Sequence, residues 1–185
     1  MKKLMIGFAV AALAVAANAT TVNWGLSSGE ALTGITSGNM YLLYHGTTAI
    51  DWTKLDGLAK YDVATLTDTL GATIVNPLDE ETGLSQVKYT GAGSTGSTFV
   101  GLQEPIPGLG GGSKKFYIAI ISDDGKTIDY LANGASVTIN NQVTGTSMQK
   151  MASAYTEKAA AAPEPTSAML LLLGVAGLAL KRRRA

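Results

Sequence analysis

The sequence predicts a mainly β protein: a single antiparallel β-sandwich, jelly-roll-like, with one short helix, an N-terminal signal helix and a C-terminal transmembrane helix. Three observations carry this expectation. Short runs rich in Val, Ile, Thr and Tyr recur between Gly, Asp-Gly and Asn-Gly turn signals at spacings of about 8–12 residues. One stretch, near residues 63–70, switches cleanly to helical spacing. Both ends are apolar and each carries positive charge on its outer flank.

At the N-terminus, Lys2 and Lys3 precede an apolar core, Leu4 to Ala16, and Ala17-Asn18-Ala19 supplies a small-x-small cleavage site. Residues 1–19 are therefore expected to be a signal peptide for the Sec export machinery and signal peptidase. Cleavage after Ala19 leaves a mature chain that begins at Thr20. The body is expected over 20–158, a linker over 159–167, a transmembrane helix over 168–180 and a basic stop over 181–185.

Within the body, Thr20 to Trp24 is a β-branched, aromatic first strand, and Gly25 to Asn39 reads as loop. Met40 to His45 is apolar on both faces, as a central strand requires. A looser turn is expected around Trp52 to Leu58. Asp62 then caps a helix over about 63–70 that presents Val63, Leu66 and Leu70, and Gly71 ends it. Ala72 to Val75, Leu84 to Tyr89 and Ser97 to Leu102 follow as strands. The strongest β signal is the hairpin Phe116 to Leu131, with Asp124-Gly125 expected as a type I′ corner and Asn133-Gly134 leading into Ser136 to Ile139. In 142–158 the spacing of Met148, Met151, Ala154 and Tyr155 suits a helix, and a last strand suits the segment as well.

Formal neutrality hides a charge asymmetry. Six of fourteen basic residues lie in the two ends, against one of fourteen acidic residues, so residues 20–162 carry eight positive and thirteen negative charges. An acidic body has no basic patch for phosphates, so no nucleic-acid partner is expected. The chain has no cysteine, which removes disulfides, thiol nucleophiles and thiolate zinc sites together. The body must hold itself together by its own core, and about 140 residues suffice for one.

Candidate chemistry is sparse. His45 is the sole histidine, six residues before Asp51, with no G-x-S-x-G elbow to mark a nucleophile and no second imidazole for a metal. Gly91, Gly93 and Gly96 match a dinucleotide fingerprint in letters, but a strand follows where a helix is needed. Asp123, Asp124 and Asp129, and the turn Asp79-Glu80-Glu81, lack the spacing of an EF-type calcium loop, which leaves only a weak calcium site between loops. Trp24, Trp52, Tyr41, Tyr44, Tyr89, Tyr117 and Tyr130 would make a sugar-stacking platform if exposed in a row, and core if buried. No enzyme activity, no catalytic residue, no metal ligand and no cofactor is expected. The alternative function is a surface-presented carbohydrate-binding module.

The tail is the most specific stretch. Pro163-Glu164-Pro165-Thr166-Ser167 is a stiff acidic breaker, Ala168 to Leu180 an apolar run with six leucines, and Lys181-Arg182-Arg183-Arg184 a basic stop. At ~0.5 kcal/mol each, the leucines favour insertion by ~3 kcal/mol. Thirteen residues rise only ~20 Å against a ~30 Å hydrocarbon core, a gap that snorkelling arginines and local thinning narrow. The charges hold the C-terminus inside and the body outside.

Those residues closely resemble the PEP-CTERM sorting signal of Gram-negative bacteria. The likeness covers about 23 residues: Pro163-Glu164-Pro165 with Thr166 and Ser167, the Leu-Leu-Leu-Leu-Gly run at 170–174, Gly177-Leu178 and the arginines. It implies recognition by exosortase, an integral-membrane transpeptidase-like enzyme, with cleavage near Pro163-Glu164-Pro165. It also implies export across the inner membrane, at least transient anchoring through 168–180, and residence at the cell surface or in an extracellular, biofilm-type matrix beside polysaccharide. The same motif carries the label of an ice-binding protein C-terminal motif, which implies nothing about ice for this body. The apolar run is slightly shorter than the family's pattern.

Overall fold

Two hydrophobic clusters lie back to back on one β-sheet, and this explains why its central strands are apolar on both faces. The computed structural model describes residues 19–75, 87–101, 109, 111–139 and 145–162, with the side chains of 19 and 97–101 left aside. In chain order the strands are β1 (Ala19–Leu26), β2 (Gly38–Tyr44), β3 (Thr73–Ile74), β4 (Val87–Tyr89), β5 (Thr95–Gly101), β6 (Gly112–Ser122), β7 (Thr127–Tyr130), β8 (Ala135–Ile139), β9 (Gly145–Lys150) and β10 (Thr156–Ala159). The chain is mainly β, as the sequence predicts.

A three-stranded sheet has the order β5-β1-β9, and a seven-stranded sheet runs β10-β7-β6-β2-β3, with β4 added to β2 and β8 to β6. β6 is long because it serves two partners end to end. Gly112–Phe116 pairs with β8 and Ala119–Ile121 with β7, while β2 lies along its other edge in the register Tyr41↔Ala119. Every described ladder is antiparallel except one: β1 and β9 run parallel, Trp24 opposite Met148.

Strand periodicity sorts β2 and β6 between the two clusters. Met40, Leu42, Phe116, Ile118 and Ile120 join Val22, Trp24 and Leu26 of β1 and Met148 of β9 in a cluster shared by the two sheets. Tyr41, Leu43, Tyr117, Ala119 and Ile121 point the other way and are covered by Ile50, Trp52, Leu55, Tyr61, Leu66 and Leu70 from the segment before β3. Each fully buried large side chain contributes roughly 1.5–3 kcal/mol, so both faces of this sheet are strongly specified.

The covering segment contains the expected turn and helix with altered geometry. A 3-10 turn spans Trp52–Leu55. Asp62 caps the next turn by accepting the Thr65 N–H at 2.9 Å, and Gly71 leaves it at φ 69°. Between them the helix is π-type over Thr65–Thr69, with Leu70 N donating to Thr65 O at 3.1 Å. The wider turn keeps Leu66 and Leu70 inside but leaves Val63 39% exposed, so the expected stripe of three apolar residues is a pair.

The β6–β7 corner also departs from expectation. Positive φ occurs only at glycines among the described residues, so Asp124 is not left-handed and the type I′ geometry is absent. Instead Asp124 Oδ1 accepts the Lys126 N–H at 3.0 Å and the Ser122 hydroxyl at 2.7 Å, which holds it in an Asx-type turn. Gly125 alone turns over, at φ 70°, with its N–H on Ser122 O at 2.9 Å.

The segment 142–158 resolves, where described, in favour of strands: β9, a 3-10 turn at Ala152–Ala154, then β10. Hydrogen bonds continue past β10, from Ala160 N to Lys126 O at 2.7 Å and from Ala161 N to Leu58 O at 2.8 Å. Among the described residues no helix is long and apolar enough to cross a membrane. The expected signal segment through Asn18, the Asp79–Glu81 turn, and the tail lie outside the described residues, including Pro163, Glu164, Pro165, Thr166 and Lys181 to Arg184.

Candidate functional site

The residues singled out for chemistry mostly turn to local partners. His45 Nδ1 lies 3.1 Å from the Thr48 hydroxyl, and Asp51 accepts the Thr53 hydroxyl at 2.6 Å as the cap of its 3-10 turn. Those bonds hold the Asp51 carboxyl below the usual carboxylate range. Gly91 and Gly93 form the bend before β5, and Gly96 leaves room for the Trp24 ring, which a Cβ there would meet at 2.6 Å. No dinucleotide cradle is formed.

The described aromatic rings are core. Trp52 stacks on Tyr130 with centroids 4.1 Å apart and meets Tyr117 edge-on at 6.1 Å, while its Nε1 donates to Ala132 O at 3.2 Å. Trp24, Tyr41, Tyr89, Tyr117 and Tyr130 are buried and Tyr44 half-buried against Phe116. Among the described residues the exposed large hydrophobics are Val63 and Met151, neither of them aromatic. The sugar-stacking row is therefore not formed by these seven rings.

What the fold does assemble is a polar cleft of about 280 Å³ where the loop 34–37 crosses the β6–β7 corner. Thr36, Ser37, Ser122 and Thr127 contribute hydroxyls, and Asp123 and Asp124 contribute carboxylates. Ser37 Oγ donates to Asp123 Oδ2 at 2.8 Å and Lys88 Nζ to Oδ1 at 3.0 Å. These bonds, the serine's foremost, pull the Asp123 carboxyl below its ordinary value, and the Ser122 bond does the same for Asp124. The Lys88–Asp123 pair is solvent-exposed on both sides and contributes little to stability.

Two positions along β7 from Thr127 lies Asp129. It is 3% exposed, and its Oδ2 is a buried atom without a hydrogen-bond partner. Directly opposite, in the β7–β10 register, is Glu157. Burial first, and the Glu157 charge second, push the Asp129 carboxyl up to about 6. Burial and the Asp129 charge also raise the Tyr155 phenol, whose hydroxyl donates to Gly25 O at 2.9 Å. The Glu157 carboxylate folds against Gly34, where a Cβ would clash with it. Gly34 also lines the cleft, so the acidic pair adjoins it.

Sequence reasoning weighed Asp129 only as a calcium-loop residue and gave Glu157, Tyr155, Ser37 and Gly34 no part in a site. The available signal was a single carboxylate inside the run Ile128-Asp129-Tyr130-Leu131, which is unusual for a solvent-facing strand. Among the described residues no group of three or more His, Cys, Asp or Glu converges on one point. Thr20 is buried within β1, and Ala19, the residue before the expected cleavage point, begins the same ladder opposite Gly101. Compared with known protein families, curated proteins and solved structures, the chain matches no family model, no curated protein and no solved structure.

Proposed function

We propose that the chain is an exported cell-surface or extracellular-matrix protein, sorted by an exosortase through its C-terminal signal, with a structural, non-enzymatic body. The observation that carries this reading is the fixed order Pro163-Glu164-Pro165, apolar run, Lys181 to Arg184, together with a signal-peptide pattern at the other end. The body is read as a β-sandwich, supported by one cluster shared between two sheets. Its parallel β1–β9 ladder departs from the all-antiparallel wiring of a jelly roll. A structural role is supported by the self-contained bonding of His45 and Asp51, which leaves neither pointed at the other. Deleting Pro163 to Ala185 is expected to release the body into the periplasm or medium. Fractionation with membranes that is unchanged by the deletion overturns the reading.

The second reading is a surface-presented carbohydrate-binding module, favoured by the hydroxyl- and carboxylate-lined cleft between Ser37 and Asp124. Retardation of the purified chain in a polysaccharide affinity gel, lost in Asp124→Asn, supports it. Equal mobility with and without polysaccharide removes it.

A further inference from the structure

Among the described residues, the acidic pair on the last two strands of the large sheet has no ion-paired counter-charge. Asp129 and Glu157 are opposite residues in the β7–β10 ladder, so their carboxylates meet on one face. Like charges in that position oppose pairing. The ion pairs among the described residues lie elsewhere: Lys88 on Asp123, and Lys158, one residue after Glu157, on Asp56 across the opposite face. Among the described residues no lysine is ion-paired with either carboxylate. The titratable groups that act on Asp129 are Glu157, and Tyr155 in return, and neither supplies positive charge.

Two further observations point into this spot. Asp129 is 3% exposed and its Oδ2 has no partner, an arrangement that normally ends in a hydrogen bond or a bound ion. Independently, the carboxylate of Glu157, an exposed residue of edge strand β10, lies over Gly34, in space a side chain there would fill. Two carboxylates opposite each other in a ladder, one of them buried, are unfavourable unless something positive lies beside them.

We propose that Asp129 and Glu157 bind a hard divalent cation of the calcium class, which clamps β10 to β7. The two carboxylates offer oxygen donors, the ligand type such ions take. Two carboxylates neutralise the charge. Calcium completes about six to eight oxygens with further protein oxygens and water, and the exposed Glu157 leaves the pair open to solvent on one side. The cation removes the repulsion, satisfies Oδ2 and fastens the strand from which the tail departs.

The test is thermal unfolding of the purified full-length chain at pH 7.5, in chelator and then in millimolar calcium chloride, with magnesium chloride alongside. Calcium is expected to raise the midpoint by at least about 3 °C. Asp129→Asn is close in shape and removes a buried charge, so it is expected to fold and to lose the response. Glu157→Gln, at an exposed residue, is expected to lose most of it. An unchanged midpoint in wild type overturns the proposal. A calcium response that persists in both variants also overturns it, by placing the ion elsewhere, as at Asp123 and Asp124. A magnesium response as large as that of calcium overturns the assignment to the calcium class.

Discussion

At Asp129 the folded chain holds a carboxyl whose value is raised from 3.8 to about 6, chiefly by burial. The unfolded chain gives up this proton at lower pH than the folded one does. Keeping the folded group charged therefore weakens the fold progressively between about pH 4 and pH 6, and fully above that. The full effect is at most about 3 kcal/mol. In chelator-containing buffer, the difference in stability between Asp129→Asn and wild type is expected to be small at pH 4.5 and to favour the variant at pH 7.5. Urea midpoints at the two pH values measure it, and a constant difference sinks the assignment. Gly96 illustrates the reverse case, a residue that matters for what it lacks. Its position is filled by the Trp24 ring, so Gly96→Val is expected to destabilise by about 1–3 kcal/mol, read as a lower urea midpoint. Neither residue advertises this in sequence. Gly96 reads as one of several loop glycines, and Asp129 as the polar step of an alternating strand.

Among the elements, those built from local signals were the legible ones. β2 and β6 follow from runs apolar at every position, which only a sheet covered on both faces accommodates. The turn after Asp62 was legible in its cap and its end, because one side chain and one glycine set each. It was not legible in its winding, because the π-type bond from Leu70 to Thr65 is fixed by how Leu66 and Leu70 reach the second cluster. Asp62→Ala removes the acceptor of the Thr65 N–H and is expected to lower stability by about 1 kcal/mol, again from urea unfolding. The β6–β7 corner was misread for a similar reason. Asp-Gly favours a left-handed pair in isolation, whereas here Asp124 is held by the Ser122 hydroxyl and the Lys126 amide. The candidate site was half legible. Asp123, Asp124 and Asp129 stood out as acidic, but Glu157 and Gly34 reach them only through long-range pairing that no local pattern encodes.

For the whole molecule, two clusters flanking one sheet set a hierarchy of stability. Amides of β2 and β6 are covered on both sides and paired on both edges, so they are expected to exchange last with solvent deuterium. Those of β10, an edge strand with four register pairs, are expected to exchange first among the strands of that sheet. Protection of Thr156 to Ala159 equal to that of Ile118 and Ile120 would contradict this. The acidic balance of the body was legible at this scale, because counting charges requires no fold. The pairing of β1 with β9 was not, and it carries a consequence in time. β1 is made first, yet its neighbours in the small sheet are Thr95–Gly101 and Gly145–Lys150. A chain delivered N-terminus first therefore holds Val22, Trp24 and Leu26 without their sheet until nearly the whole body has followed. Closure of the small sheet is the late event, and under the proposed export a body that closes late stays threadable.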